Sequence, residues 1–158
     1  MQKRVYIETT IPSFYHTHRT DVESVARMHW TRQWWNENVS TVHLATSAAV
    51  IAELRQSSEE QAQARLDLLA DLPLLQITGE VERIAQIYIN ALVMPNDPTG
   101  DALHLALASF HKVDILLTWN CAHLANANKI DHIRLVNYEL GLPTPLLTTP
   151  LNFLSGDE

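Results

Sequence analysis

Apolar residues run along this chain in two rhythms. Short unbroken runs read as strands: Val5-Tyr6-Ile7 within 4–8, the segment 42–46, Leu74-Leu75-Gln76-Ile77 within 73–78, and Ile115-Leu116-Leu117. Between them the apolar residues recur every three or four positions, which is the spacing of a helix buried on one side. Helices are expected over 20–38, 48–56, 57–70, 80–93, from Asp101 through Phe110, and within 125–140.

Capping chemistry sharpens several boundaries. Pro12 suits the first turn of a short helix after the first strand. Thr20 with Glu23, and Ser57 with Glu60, have capping-box spacing, and Ser47 can cap the helix that follows it. Gly141 and Pro143 stop the helix that ends at Leu140. Residues 94–100 form a loop dense in turn formers, 146–148 are expected as a last edge strand, and 151–158 as a frayed tail. Alternating buried strands and amphipathic helices predict an α/β fold: a central, mostly parallel sheet of four to five strands with helices on both faces. No repeat or linker divides residues 1–150, so one domain is expected.

Composition narrows the function. Net charge is −7, against a protein that coats nucleic acid without regard to sequence. Gly is scarce, at 4 residues, so a glycine-rich phosphate cradle is not expected. The one cysteine, Cys121, rules out an internal disulfide and fits a reducing compartment. The first residues reach Glu8 too soon for a secretory leader, and no apolar run approaches the roughly 20 residues a spanning helix needs. A cytoplasmic protein without a membrane segment is the expectation.

The chemistry lies in the acids. Glu8 closes the first strand, Glu53 stands on the helix after the second, and Asp101 opens the helix before Ile115-Leu116-Leu117. In an open parallel sheet, ligands gather outside the carboxyl ends of the strands, where these three can meet. Carboxylates set among apolar neighbours are costly unless paired, and three in one crevice repel. A divalent cation holds them ionised together, and oxygen ligands point to Mg²⁺ or Mn²⁺ rather than zinc. Each acid taken singly is equally explained as a helix cap or a surface ion-pair partner.

Four segments together resemble the PIN domain family: Val5-Tyr6-Ile7-Glu8-Thr9-Thr10, then Ser47 through Leu54, Asp101 through Ala108, and Leu116-Leu117-Thr118-Trp119-Asn120. Their order and spacing match from about Val5 to Thr148, and the similarity is to toxin-like, VapC-type PIN proteins of prokaryotic toxin–antitoxin pairs. The resemblance implies a three-layer fold and a metal-dependent endoribonuclease that hydrolyses RNA phosphodiester bonds, often with a small antitoxin partner. It assigns the metal to Glu8, Glu53 and Asp101, the fourth acidic position to Asn120, and supporting hydroxyls to Thr10 and Thr118. Two positions depart from the family pattern. Glu8 stands where Asp is usual, and Asn120 replaces a carboxylate by a neutral amide, which weakens a second ion more than the first.

A catalytically degenerate PIN domain that binds RNA or protein is the competing reading, favoured by Asn120. A receiver-type phosphoacceptor domain fits less well, because Glu8 lacks a paired acid. His104, Trp119, Arg55, Lys112 and Lys129 are candidate contacts to RNA, with ordinary packing or solvation as the alternative for each. Trp30, Trp34 and Trp35 are too apolar for one solvated helix, so any part left exposed would mark a homodimer or antitoxin surface.

Overall fold

Tyr6, Val5 and Ile7 have no exposed surface, and Ile115, Leu116 and Leu117 are equally buried. Successive strand residues point to opposite faces, so both faces of the sheet are covered by helices. This computed structural model describes residues 2–91, 93–95 and 100–155. The strands β1 (Arg4–Ile7), β2 (His43–Ala45), β3 (Ile115–Leu117) and β4 (Leu146–Thr148) form one sheet in the order β2-β1-β3-β4. Every pairing is parallel, and Ile7 sits opposite Leu117. The chain leaves β1 for β2 on one side and later returns to β3 on the other. The carboxyl ends of β1 and β3 therefore flank the point where the sheet reverses its winding, the place where α/β sheets bind ligands.

The helices are α1 (Thr10–Tyr15), α2 (Val22–Asn38), α3 (Ala48–Leu54), α4 (Glu59–Leu69), α5 (Gly79–Asn90), α6 (Asp101–Phe110), α7 (Ile130–Leu140) and α8 (Pro150–Ser155). Ser47 caps α3 as expected, accepting from the Val50 amide at 3.4 Å. Two other caps shift by one residue. Asp21, not Thr20, caps α2 by accepting from the Ser24 amide, and Ser58, not Ser57, caps α4. Gly141 ends α7 in the left-handed region at φ 71°, where a residue without Cβ is least strained. The sheet thus delivers Glu8 and Thr118 side by side, while α3 and α6 bring Glu53 and Asp101 toward the same end.

The segment 73–78 is not a strand. It makes a single isolated bridge, Leu74 opposite Thr46, through hydrogen bonds of Pro73 and Leu75 to Thr46, and Leu74 is 52% exposed. Leu75 and Ile77 lie partly buried against the core, and the chain runs on to Thr78, which caps α5. The segment after Pro150 is likewise helical through Ser155 rather than frayed, because Phe153 packs edge-on against the fully buried Trp34. Residues 96–99 of the expected loop, and 156–158 of the tail, lie outside the described residues. Fully buried Asn137 ties α7 to its neighbours, accepting from the Tyr88 hydroxyl and donating to Ser109 Oγ.

Candidate metal centre

Glu8 follows directly on β1, and its side chain turns inward with 3% exposure. Its Oε1 accepts from the Thr10 amide at 3.0 Å, the Thr10 hydroxyl, and the Thr118 hydroxyl at 2.7 Å. All three donors converge on that oxygen, and none among the described residues reaches Oε2. The two threonines also work in the other direction. Thr10 Oγ1 accepts from the Trp119 amide at 2.8 Å, and Thr118 Oγ1 from the Asn120 amide at 2.9 Å. Each hydroxyl therefore welds the backbone leaving β3 to the carboxylate at the end of β1. Burial pushes the Glu8 carboxyl above the usual range, against the pull of His104 and of its hydrogen bonds.

Glu53, on α3, is half-buried and fixed at both oxygens. The Thr9 hydroxyl donates to Oε2 at 2.6 Å, and His104 Nε2 lies 2.8 Å from Oε1. His104 is 1% exposed, and its Nδ1 lies 2.7 Å from the Tyr6 hydroxyl. Burial alone lowers an imidazole pKa, but the Glu53 hydrogen bond and the charges of Glu8, Glu53 and Asp101 outweigh it and hold His104 above its ordinary value.

Ligand atoms of Glu8, Glu53 and His104 all lie within 4.8 Å of one another, a group able to hold a metal ion. His104 therefore takes the place in the close trio that the sequence assigns to Asp101. Asp101 is one turn earlier on the same helix, and three-residue spacing puts both on one face. Its carboxylate stands at the rim of the trio, where Asn120 Nδ2 donates to it at 2.8 Å. Burial raises the Asp101 carboxyl, His123 and His104 draw it down, and Glu53 adds to the rise. The Asn120 carbonyl accepts from the His123 amide at 3.0 Å, so both ends of that amide are occupied.

The carboxylates of Glu8 and Glu53, with that of Asp101 beside them and His104 bracing Glu53, fit a divalent cation. Burial makes it costly to ionise Glu8 and Asp101 without a counter-charge, and a bound ion would supply one.

The candidate RNA contacts fare less well. Trp119 is 5% exposed, stacked on Trp30 and edge-on to Phe14, with Nε1 donating to Thr31 Oγ1 at 2.8 Å. Its ring faces are taken, so it has none for a base. His104 is a buried internal link rather than a surface contact. Lys129 Nζ is turned onto the Val93 carbonyl at 3.0 Å. Arg55 and Lys112 remain exposed, Arg55 directly beyond α3. Cys121 is exposed. Of the tryptophans on α2, Trp34 and Trp35 are core and Trp30 is half-buried, so this helix carries no bare aromatic surface.

Missed in the sequence was the Tyr6–His104 pairing, which joins residues 98 positions apart. Beside Glu53 opens an apolar groove of about 530 Å³, lined by Ala49, Ala52, Ile77, Ala85 and Leu103. Among the described residues, no helix is long and apolar enough to cross a membrane.

No family model and no curated protein matches the sequence. Solved structures do match in shape. A chain from the crystal structure of VapBC2 from Rickettsia felis bound to a DNA fragment from their promoter superposes with TM-score 0.54 at 16% identity, covering 92% of this chain and 98% of that one. A chain from FitAcB of Neisseria gonorrhoeae superposes with TM-score 0.51 at 13% identity, covering 75% and 89%. At these identities the likeness concerns the fold: this chain has the PIN-like α/β fold that its four sequence motifs resemble.

Proposed function

We propose that the protein is a metal-dependent endoribonuclease of PIN type and the toxin of a toxin–antitoxin pair. The observation that carries this reading is the meeting of Glu8, Glu53 and His104 within 4.8 Å, with Asp101 at their rim, beside the reversal point of a parallel sheet. Both solved relatives in shape are toxin–antitoxin complexes, which supports the toxin assignment. The apolar groove beside Glu53 suits an antitoxin segment with small apolar side chains facing it.

Glu8, Glu53 and Asp101 would hold Mg²⁺ or Mn²⁺. When bound there, such an ion would supply Lewis-acid chemistry, polarising a phosphate oxygen and lowering the pKa of a bound water. This chain's own residues do the rest. Glu8 presents Oε2, because its other oxygen is committed to Thr10 and Thr118. Glu53, fixed by Thr9 and His104, orients the attacking water or accepts its proton. Asn120 holds Asp101 in place through its amide.

Incubating the protein with single-stranded RNA and Mn²⁺, with Asp101→Asn as the control, tests this. Cleavage that needs the ion and is lost in the variant supports the reading. A second reading, a PIN-like domain that binds without cutting, is favoured by the amide at position 120. Tight Mn²⁺ binding with no turnover on any RNA would select it.

A further inference from the structure

We propose that Ser47, Tyr6 and His104 form a buried line of donors that fixes the carboxylate of Glu53, making Tyr6 and His104 positioning residues of the site. The proposal deepens the nuclease reading and rests on it for the purpose of the arrangement.

The line is fixed from its carboxylate end. Glu53 Oε1 can only accept, so His104 Nε2, 2.8 Å away, carries the proton of the neutral imidazole. Nδ1 is then the acceptor, and the Tyr6 hydroxyl donates to it at 2.7 Å. With its proton spent, the Tyr6 oxygen accepts from the Ser47 hydroxyl at 2.8 Å, while Ser47 Oγ accepts from the Val50 amide in capping α3. If the imidazole is protonated, both nitrogens carry protons and Nε2 still donates to Glu53.

Tyr6 is fully buried and His104 is 1% exposed, so the links from Ser47 through Tyr6 to the imidazole are shielded from water. The line starts at the cap of α3 and ends on a residue of the same helix, by way of β1 and α6. It therefore locks the rotation of the Glu53 side chain to the mutual placement of three elements. The Thr9 hydroxyl on Oε2 completes the grip, and a carboxylate oxygen of Glu53 is held within 4.8 Å of one of Glu8. Partners that hold a metal ligand from behind commonly change ion affinity by about 10–100-fold when removed.

The experiment has two parts. Nitrogen-15 NMR of the metal-free protein, above the pH at which His104 titrates, should find its proton on Nε2; a proton on Nδ1 overturns the proposal. Calorimetric titration with Mn²⁺ then compares variants that keep their fold by circular dichroism. Tyr6→Phe retains the buried ring and should weaken Mn²⁺ binding by about 10-fold. His104→Leu should do the same, and His104→Gln, which keeps an N–H donor, should recover most of the affinity. Wild-type affinity in both Tyr6→Phe and His104→Leu overturns the donor line; if one of the two does not fold, the other decides. If the wild-type protein binds no Mn²⁺, the nuclease reading fails instead, and the NMR measurement decides the donor line by itself.

Discussion

Asn120 donates its amide N–H to the carboxylate of Asp101 at 2.8 Å, where a fourth acid would have faced that carboxylate across the same gap. The departure from the family pattern is thus a hydrogen-bonded pair rather than a hole in the site. Asn120→Asp replaces a donor by a like charge and leaves Asp101 unpaired. The cost in the chelated protein should be about 1–3 kcal/mol, or several degrees of melting temperature. With Mn²⁺ the added carboxylate becomes a further ligand, and the deficit should shrink. Thermal melts of both proteins in chelator and in Mn²⁺ check this; a variant that melts like wild type in chelator would show that the pair is idle.

Much of this site is legible in the sequence because its acids lie at the ends of elements the sequence also marks. Glu8 follows a β-forming run, Glu53 rides a helix announced by the Ser47 cap, and Asp101 opens a helix of alanine and leucine. What local reading misses is contact across distance. His104 looks like any packed helix residue until Tyr6 is placed beside it. Trp119 looks like a stacking platform until Trp30 and Thr31 arrive from α2. The run 74–77 has the residues of a strand, yet the sheet gives it only one bridge, at Leu74, so composition alone misassigns it. The tail is misjudged for the same reason: its order depends on Trp34, a residue far away in the chain.

Glu8→Gln should separate stability from function. Gln keeps an oxygen for Thr10 and Thr118 but removes a buried charge whose ionisation the fold opposes. The metal-free variant should therefore be at least as stable as wild type at pH 8, while RNA cleavage falls by on the order of 100-fold or more, the loss typical of a missing metal ligand or its support. Paired denaturation and cleavage measurements test both halves. Retained cleavage would remove Glu8 from the site.

The pH dependence of stability follows from the same crowding. Burial raises the carboxyls of Glu8 and Asp101, so above their unfolded pKa values the native state holds protons that the unfolded state has released. Their contribution is full below the unfolded values and is lost as pH rises through the folded ones. His104 has the same sign: its folded pKa lies above 6.5, so its contribution is full below that and lost as pH rises through the folded value. These groups should make the chelated protein less stable at pH 8 than at pH 5.5. An ion needs the carboxylates ionised, so the rise in melting temperature on adding Mn²⁺ should be larger at pH 8. Scanning calorimetry at both pH values decides it, and an equal rise would mean the ion binds elsewhere.

Trp119→Phe tests whether that ring serves the fold or the substrate. The indole stacks on Trp30, sits under the Arg27 guanidinium and donates to Thr31. Phenylalanine keeps part of the stacking and loses the donor, leaving Thr31 Oγ1 with one partner fewer. A loss of about 1–2 kcal/mol is expected from the broken buried hydrogen bond, with RNA affinity unchanged. A folded variant whose RNA binding drops tenfold would restore Trp119 as a base-stacking residue.

The end of the described chain makes the last prediction. Phe153 on α8 meets Trp34 edge to face, with ring centroids 5.5 Å apart, and Trp34 in turn meets Trp35. Trp34 has no exposed surface, so α8 is the lid on the largest buried side chain of α2. A fully buried Phe→Ala costs about 3–5 kcal/mol. Phe153 is only partly buried, so Phe153→Ala should cost about 2 kcal/mol, including the aromatic pair term. The substitution lies on a different helix from every acid of the site, so Mn²⁺ affinity measured well below the melting temperature should stay at the wild-type value. Tryptophan fluorescence should shift to the red as water reaches Trp34. An unshifted spectrum with unchanged stability would mean that the segment after Pro150 is loosely attached and that Trp34 owes its burial to other elements.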